Sequence, residues 1–178
     1  MKRFIITGAP GAGKTAILRQ LELEGFGIVE EAATDLIAVA QAQGNLQPWT
    51  DASFIDAIVT LQRDRQVRAS RCHDEIQFHD RSAVCTAALA GYLGYARSPQ
   101  LVSELDRISR EAIYERRVFL VRTLGFITRT DARQISVDEA LRFERIHEIT
   151  YRDAGFDLVP VAPGSLLERV AAIKAAIR

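Results

Sequence analysis

The chain has 178 residues, enough for one well-buried core and short for two, so a single domain is expected. Hydrophobic residues make up 48% and charged residues 26%, with Lys+Arg and Asp+Glu equal at 23 each, the profile of an ordinary soluble globular protein. That balance argues against a general nucleic-acid-binding surface but leaves room for a few arginines gathered around one phosphate pocket. The longest weakly polar stretch, Ala83 to Leu93, is broken by Thr86 and Gly91 and falls well short of the roughly 20 residues of a membrane span. Lys2 and Arg3 before a short apolar run do not make a signal peptide, so a cytoplasmic protein with no membrane contact is expected. Cys72 and Cys85 lack metal-ligand spacing and read as two reduced, packed thiols.

Phe4-Ile5-Ile6-Thr7 reads as the first strand. It runs into Gly8-Ala9-Pro10-Gly11-Ala12-Gly13-Lys14-Thr15, a phosphate-binding loop. Its glycines let the backbone turn so that successive N–H groups converge on a polyphosphate. Lys14 reaches the terminal phosphates, and the Thr15 hydroxyl serves a bridging magnesium ion. Ile17, Leu18 and Leu21 then recur on one face of a helix whose positive dipole end faces the same phosphates. The loop predicts a nucleoside triphosphate with magnesium. No guanine-reading Asn-Lys-x-Asp motif is visible, which favours ATP.

Gly25 and Gly27 stop the first helix, and Gly27-Ile28-Val29 forms a second strand ending in Glu30-Glu31. If the strands are parallel, these acids lie at the same carboxyl edge as the loop, where ligands collect in open α/β sheets. They read either as exposed acids at the start of the helix from Ala32 to Ala42, or with one of them meeting a substrate hydroxyl. After the loop Gln47-Pro48-Trp49, Thr50 or Asp51 caps a long helix to about Arg71. That helix carries Phe54, Ile58 and Leu61 on one face, with Gln62 and several arginines beside them, and is a candidate wall of a substrate cleft. Trp49 is either a core anchor or a platform for a planar ring.

Glu75 to Ser82 reads as a strand ending in Asp80, less apolar than a fully buried strand because Gln77 and His79 alternate with Ile76 and Phe78. His79 has no second ligand at metal spacing and reads as a hydrogen-bonded, half-buried histidine. Asp80 is placed to hold the magnesium water shell or to take the proton of the attacking group. Arg81, a cation directly after that acid, suits a phosphate or substrate oxygen and tilts the nucleophile from water toward an organic acceptor. Helices from Ala83 to Leu93 and from Pro99 to about Ile113 precede a buried strand, Arg117 to Val121. The polar segment from Arg122 to Ser136 reads as a lid whose Arg129 and Arg133, four apart, bring guanidinium groups onto the transferring phosphoryl. Ser136 and Glu139 form a capping box for a helix ending near Gly155. Asp157 to Val161 is a fifth strand, placed at an edge by Pro160, and a second capping box at Ser165 opens the last helix.

With these motifs in place, the chain resembles the P-loop small-molecule kinases, and most closely the AAA-ATPase-like family that includes the ribosylnicotinamide kinase domain of NadR-type proteins. The resemblance spans nearly the whole chain and rests on the phosphate loop, Val29-Glu30-Glu31-Ala32-Ala33, Asp80-Arg81-Ser82 and the segment from Arg129 to Arg133. It implies an α/β three-layer P-loop fold with a five-stranded parallel sheet of order 2-3-1-4-5 and a helical lid. Asp80-Arg81-Ser82 also looks like the acid-Arg-Ser motif of deoxynucleoside kinases. That likeness gives Asp80 to the metal and Arg81 to the acceptor end of the substrate. A glutamate after the second strand acts on the substrate hydroxyl in those kinases, which falls on Glu30 or Glu31, with Glu31 preferred.

The expectation is therefore an ATP- and magnesium-dependent kinase acting on a small hydroxyl-bearing, nucleoside-like acceptor. Its alternatives are an ATP-hydrolysing switch and a regulatory nucleotide-binding module, each with a protein partner. Neither the acceptor nor the oligomeric state can be read from the residues.

Overall fold

The computed structural model describes residues 1–123 and 137–177. Strands β1 (Lys2–Thr7), β2 (Gly27–Val29), β3 (Ile76–Asp80), β4 (Arg117–Val121) and β5 (Asp157–Val161) form one parallel sheet in the order β2-β3-β1-β4-β5. The helices among the described residues are α1 (Lys14–Leu23), α2 (Ala32–Ala42), α3 (Ser53–Ala69), α4 (Ala83–Leu93), α5 (Pro99–Arg110), α6 (Val137–Asp153) and α7 (Leu166–Ala176), with a 3-10 turn at Pro48–Thr50.

Parallel strands need crossovers, and right-handed crossovers decide which face each helix covers. The step from β1 to β2 runs one way across the sheet, and the later steps run back. This places α1 on one face, where α7 joins it, and α3 to α6 on the other. Side chains alternate along β1 accordingly. Phe4 and Ile6 pack with Phe78, Phe119, Leu21 and Ile173 under α1 and α7, whereas Ile5 packs with Val84, Val118 and Tyr151 beneath α4 and α6. The rings of Phe4, Phe78 and Phe119 lie 5.9 to 6.3 Å apart across β3, β1 and β4. Burying each such ring is worth on the order of 2–3 kcal/mol, and the same cluster takes in Ala12 of the phosphate loop.

Helix ends follow the local sequence. Ser82 and Ser98 cap α4 and α5 by accepting from the N–H groups of Val84 and Leu101, and Ser165 and Glu168 form a reciprocal capping box on α7. α3 starts later than its sequence signals suggest, because the 3-10 turn takes up Pro48 to Thr50; Asp51 still accepts from the N–H of Ser53 at 2.8 Å. Pro160 lies on β5, which among the described residues pairs only with β4 and so forms an edge of the sheet.

Three expectations change. β3 is buried despite its polar residues: Gln77 donates to Ala69 O at 2.8 Å and to Asp74 at 3.0 Å. His79 is 2% exposed rather than half-buried, its Nε2 has no hydrogen-bond partner among the described residues, and its ring stands edge-on to Tyr114 at 5.0 Å. Cys85 is packed, but Cys72 is exposed. Among the described residues no helix is long and apolar enough to cross a membrane.

Candidate active site

The register of the sheet assembles the site. Ile6 of β1 pairs with Asp80 of β3, Thr7 with Leu120 of β4, and Val29 of β2 with His79, so the phosphate loop, Asp80 and the Glu30-Glu31 pair leave the sheet at one level. Gly8 enters the loop at φ +134°, and a Cβ there would sit 2.3 Å from the Val121 carbonyl oxygen; only glycine passes so close to the end of β4. Gly13 closes the loop at φ +88° as the N-cap of α1.

Lys14 is 7% exposed, and its ammonium donates to the Gly8 and Ala9 carbonyls at 3.2 and 3.1 Å. Burial pulls its pKa down to about 8, helped by the Arg81 charge and opposed by Asp80 and Glu31. Among the described residues its hydrogen bonds go to carbonyls, so the ammonium keeps its charge available to an anion in the cavity. Thr15 is exposed beside it on the rim of a cavity of about 630 Å³.

Glu31, Asp80 and Arg81 line the same cavity. The two glutamates after β2 differ in environment. Glu30 points to solvent and pairs with Arg19 at 2.6 Å, whereas Glu31 pairs with Arg81 at 2.6 Å and accepts from the Thr34 hydroxyl at 2.7 Å. Burial pushes the Glu31 carboxyl up, but the charges of Arg81 and Lys14 outweigh it and hold the pKa at about 2. Arg65 on α3 fixes this corner by donating to the Glu30 and Glu31 carbonyls and pairing with Asp35.

Arg81 has φ +73°, a conformation unusual for a residue with a side chain, and its N–H donates to the Ile6 carbonyl at 3.0 Å. Its guanidinium reaches Glu31 on one side and His147 Nε2, at 3.3 Å, on the other. His147 Nδ1 lies 2.9 Å from the Phe143 carbonyl, an acceptor, so Nδ1 carries the proton and Nε2 is free to accept from Arg81. Burial and the Arg81 charge drive the His147 pKa down to about 3, which keeps the ring neutral. Behind Arg81, Tyr151 of α6 contacts Ser82 at 3.0 Å and Cys85 at 3.1 Å, and Cys85 contacts Thr7 at 3.0 Å. This web ties α6 to α4 and β1.

The opposite wall is apolar: Ile37 of α2, Trp49 of the 3-10 turn, Phe54 and Ile58 of α3, and Leu89 of α4. Gln62 lines it too, accepting from the Thr86 hydroxyl at 2.8 Å, which leaves its amide N–H groups as the donors. Arg129 and Arg133 lie outside the described residues. At the root of that segment Arg122 pairs with Glu144 at 2.8 Å and with Glu148, and the Thr123 N–H donates to Glu144 at 3.1 Å.

The donor set fits a nucleotide with magnesium. The loop follows a course that side chains at Gly8 and Gly13 would forbid, by meeting the Val121 carbonyl and the Arg169 guanidinium, and the buried Lys14 ammonium lies on the cavity beside it. Among the described residues no three His, Cys, Asp or Glu side chains cluster as a self-sufficient metal site. Thr15 and Asp80 are the hydroxyl and the carboxylate on this cavity that would hold such an ion together with phosphate oxygens.

His147 and Tyr151 are missed by reading the sequence alone. The available signal is a polar residue on a buried helix face: His147 lies between Phe143 and Tyr151 at four-residue spacing.

A family model described as an AAA domain matches residues 3–169. No curated protein matches the chain in sequence. Among solved structures, a deoxyadenosine kinase from M. mycoides, with dCMP and a flexible dCDP bound, superposes with a TM-score of 0.68 at 14% identity over 98% of each chain. A NadR protein in complex with NAD and AMP-PNP superposes with a TM-score of 0.68 at 20% identity, covering 98% of this chain and 48% of the other. The same protein type in complex with NR gives 0.67. These likenesses establish a P-loop fold shared with small-molecule kinases.

Proposed function

Since the chain belongs to this AAA-domain family, we propose that it works as one P-loop unit, a kinase that moves the γ-phosphoryl group of ATP to a hydroxyl of a small, nucleoside-like acceptor. One observation carries this reading: Lys14, Glu31, Asp80 and Arg81 converge on a cavity of about 630 Å³ whose other wall is apolar and aromatic. A hydrolytic switch has no need of such a compartment beside its phosphates. The kinases among the structural neighbours support the same class of chemistry.

In this reading the loop N–H groups and Lys14 hold the β- and γ-phosphates, and Thr15 and Asp80 hold magnesium. Magnesium, when bound, neutralises charge on the phosphate oxygens. Arg81, kept extended by Glu31 and His147, meets the acceptor end of the substrate. The acceptor oxygen forms the new P–O bond as the bond to ADP breaks, and its proton passes to the Glu31 carboxylate. Glu31 is a weak base, which suffices because phosphoryl transfer depends mainly on alignment and charge stabilisation. Trp49 and Phe54 flank the acceptor, Gln62 donates to it, and Arg129 and Arg133 supply the cations that offset charge on the transferring phosphoryl.

The test is ADP release from ATP and magnesium with a panel of nucleosides, nucleotides and vitamin-like alcohols, using Asp80→Asn as control. Stimulation by one class of acceptor, lost by about a hundredfold or more in the variant, is expected. High hydrolysis unaffected by any acceptor would overturn the kinase reading.

A further inference from the structure

Arg169 on α7 belongs to none of the groups assigned so far. It is 5% exposed, yet it forms no ion pair with any acid among the described residues, and its Nε has no hydrogen-bond partner there. Its hydrogen bonds among the described residues go to backbone carbonyls: Nη2 donates to Ala12 O at 2.8 Å and to Arg122 O at 3.2 Å. Its Nη1 lies where a Cβ on Gly13 would come within 2.8 Å. Burying an arginine without a counter-charge is costly, and natural folds normally supply an acid. Here the nearest thing to a partner is the outside of the phosphate loop.

The geometry explains what such a residue does. Ala12 C=O and Gly13 N–H belong to one trans peptide, so they point in opposite directions. Holding the carbonyl from behind fixes the direction of the N–H, and among the described residues that N–H has no backbone acceptor. A guanidinium on the carbonyl also polarises the peptide, which strengthens its N–H as a donor to an anion. The forked group holds the end of β4 with the same nitrogen, locking the loop to the sheet.

We propose that Arg169 is a positioning residue for the polyphosphate: its unbalanced buried charge acts through the Ala12–Gly13 peptide and is balanced by the phosphates of the bound nucleotide. This rests on the reading that the loop holds a nucleoside triphosphate. The role is distinct from that of Lys14, which faces the ligand directly.

The test is calorimetric titration of the full chain with ATP and magnesium, and with inorganic tripolyphosphate, in wild type, Arg169→Gln and Arg169→Lys, alongside the KM values for ATP and for the acceptor. Arg169→Gln is expected to weaken both polyphosphates by about tenfold or more, to raise the KM for ATP and to leave the KM for the acceptor unchanged. Arg169→Lys, which keeps the charge but not the fork, should fall between wild type and Gln. A purely structural arginine would weaken both substrates alike, and that result, or polyphosphate affinity within about twofold of wild type, would overturn the proposal. Should Arg169→Gln fail to fold, Arg169→Lys decides: a selective loss of about threefold or more for polyphosphate supports the role, and an unchanged affinity refutes it. Failure of the wild type itself to bind either polyphosphate would instead remove the nucleotide reading and this inference with it.

Discussion

Glu31 and Arg81 form a largely buried ion pair of 2.6 Å that joins the end of β2 to the end of β3 at the cavity wall. Each holds the other charged and each is aimed by the pairing, so the pair is at once part of the fold and part of the candidate site.

Its contribution to stability has a definite pH window. The Glu31 pKa is about 2 in the fold against 4.5 without it, so the stabilisation is complete above about pH 4.5 and is lost as pH falls toward 2. Glu31→Gln leaves Arg81 buried and unbalanced, and should cost about 3 kcal/mol at pH 7. Urea unfolding at pH 7 and at pH 3 checks this: the difference between wild type and variant should shrink markedly at the lower pH.

Lys14 gives the opposite signature. Its pKa is lowered from 10.5 to about 8, so below pH 8 the fold bears the cost of a buried charge, and that cost is relieved as pH rises from about 8 toward 10.5. A polyphosphate stabilises the charged form. ATP binding should therefore take up a proton at alkaline pH, and affinity should fall as pH rises through about 8. Calorimetry in buffers of different ionisation enthalpy reads the uptake directly; Lys14→Ala should abolish it and lower turnover by about a hundredfold or more.

His79 and His147 are both held neutral, with pKa values of about 3. Their ring resonances should stay unchanged in nuclear magnetic resonance spectra from pH 8 to pH 5. Each binds a proton more readily in the unfolded chain, so both reduce stability as pH falls below about 6.5. A ring that titrates near neutrality at either position would contradict the burial described here.

Trp49 is the single tryptophan and lines the apolar wall. Its fluorescence should respond strongly to the acceptor and weakly to ATP alone. Trp49→Phe should raise the KM for the acceptor by roughly fivefold while leaving the KM for ATP unchanged, as expected for lost stacking area of about 1 kcal/mol.

Much of this was legible because it is contiguous. The phosphate loop is eight adjacent residues, Asp80 and Arg81 are neighbours, and the bounds of β2, α2, α4, β4 and β5 follow from periodicity and turn residues. What was not legible comes from distant parts of the chain. Arg81 meets His147 across 66 positions and Arg169 meets Ala12 across 157, and no local spacing encodes either contact. His79 misled for a related reason: a polar residue on a strand suggests exposure, but β3 lies between β1 and β2 and is buried whatever its composition. Choosing between Glu30 and Glu31 likewise needed the positions of Arg19 and Arg81, which only the folded chain supplies.

The cavity is bounded by two kinds of chain. The phosphate loop, Asp80 and Arg81 are rooted in the aromatic centre of the sheet and latched by Tyr151, whereas the facing wall draws on α2, of which only Ala32 is buried, and on the turn before α3. Substitutions at the α2 and turn positions of that wall, unlike those at the buried Phe54 and Ile58 of α3, therefore disturb little of the folding free energy and none of the groups that handle phosphate. Such a layout lets the identity of the acceptor change by a few exchanges at positions such as Ile37 and Trp49 while the transfer chemistry is inherited intact, so the preferred acceptor is the property of this fold most free to diverge.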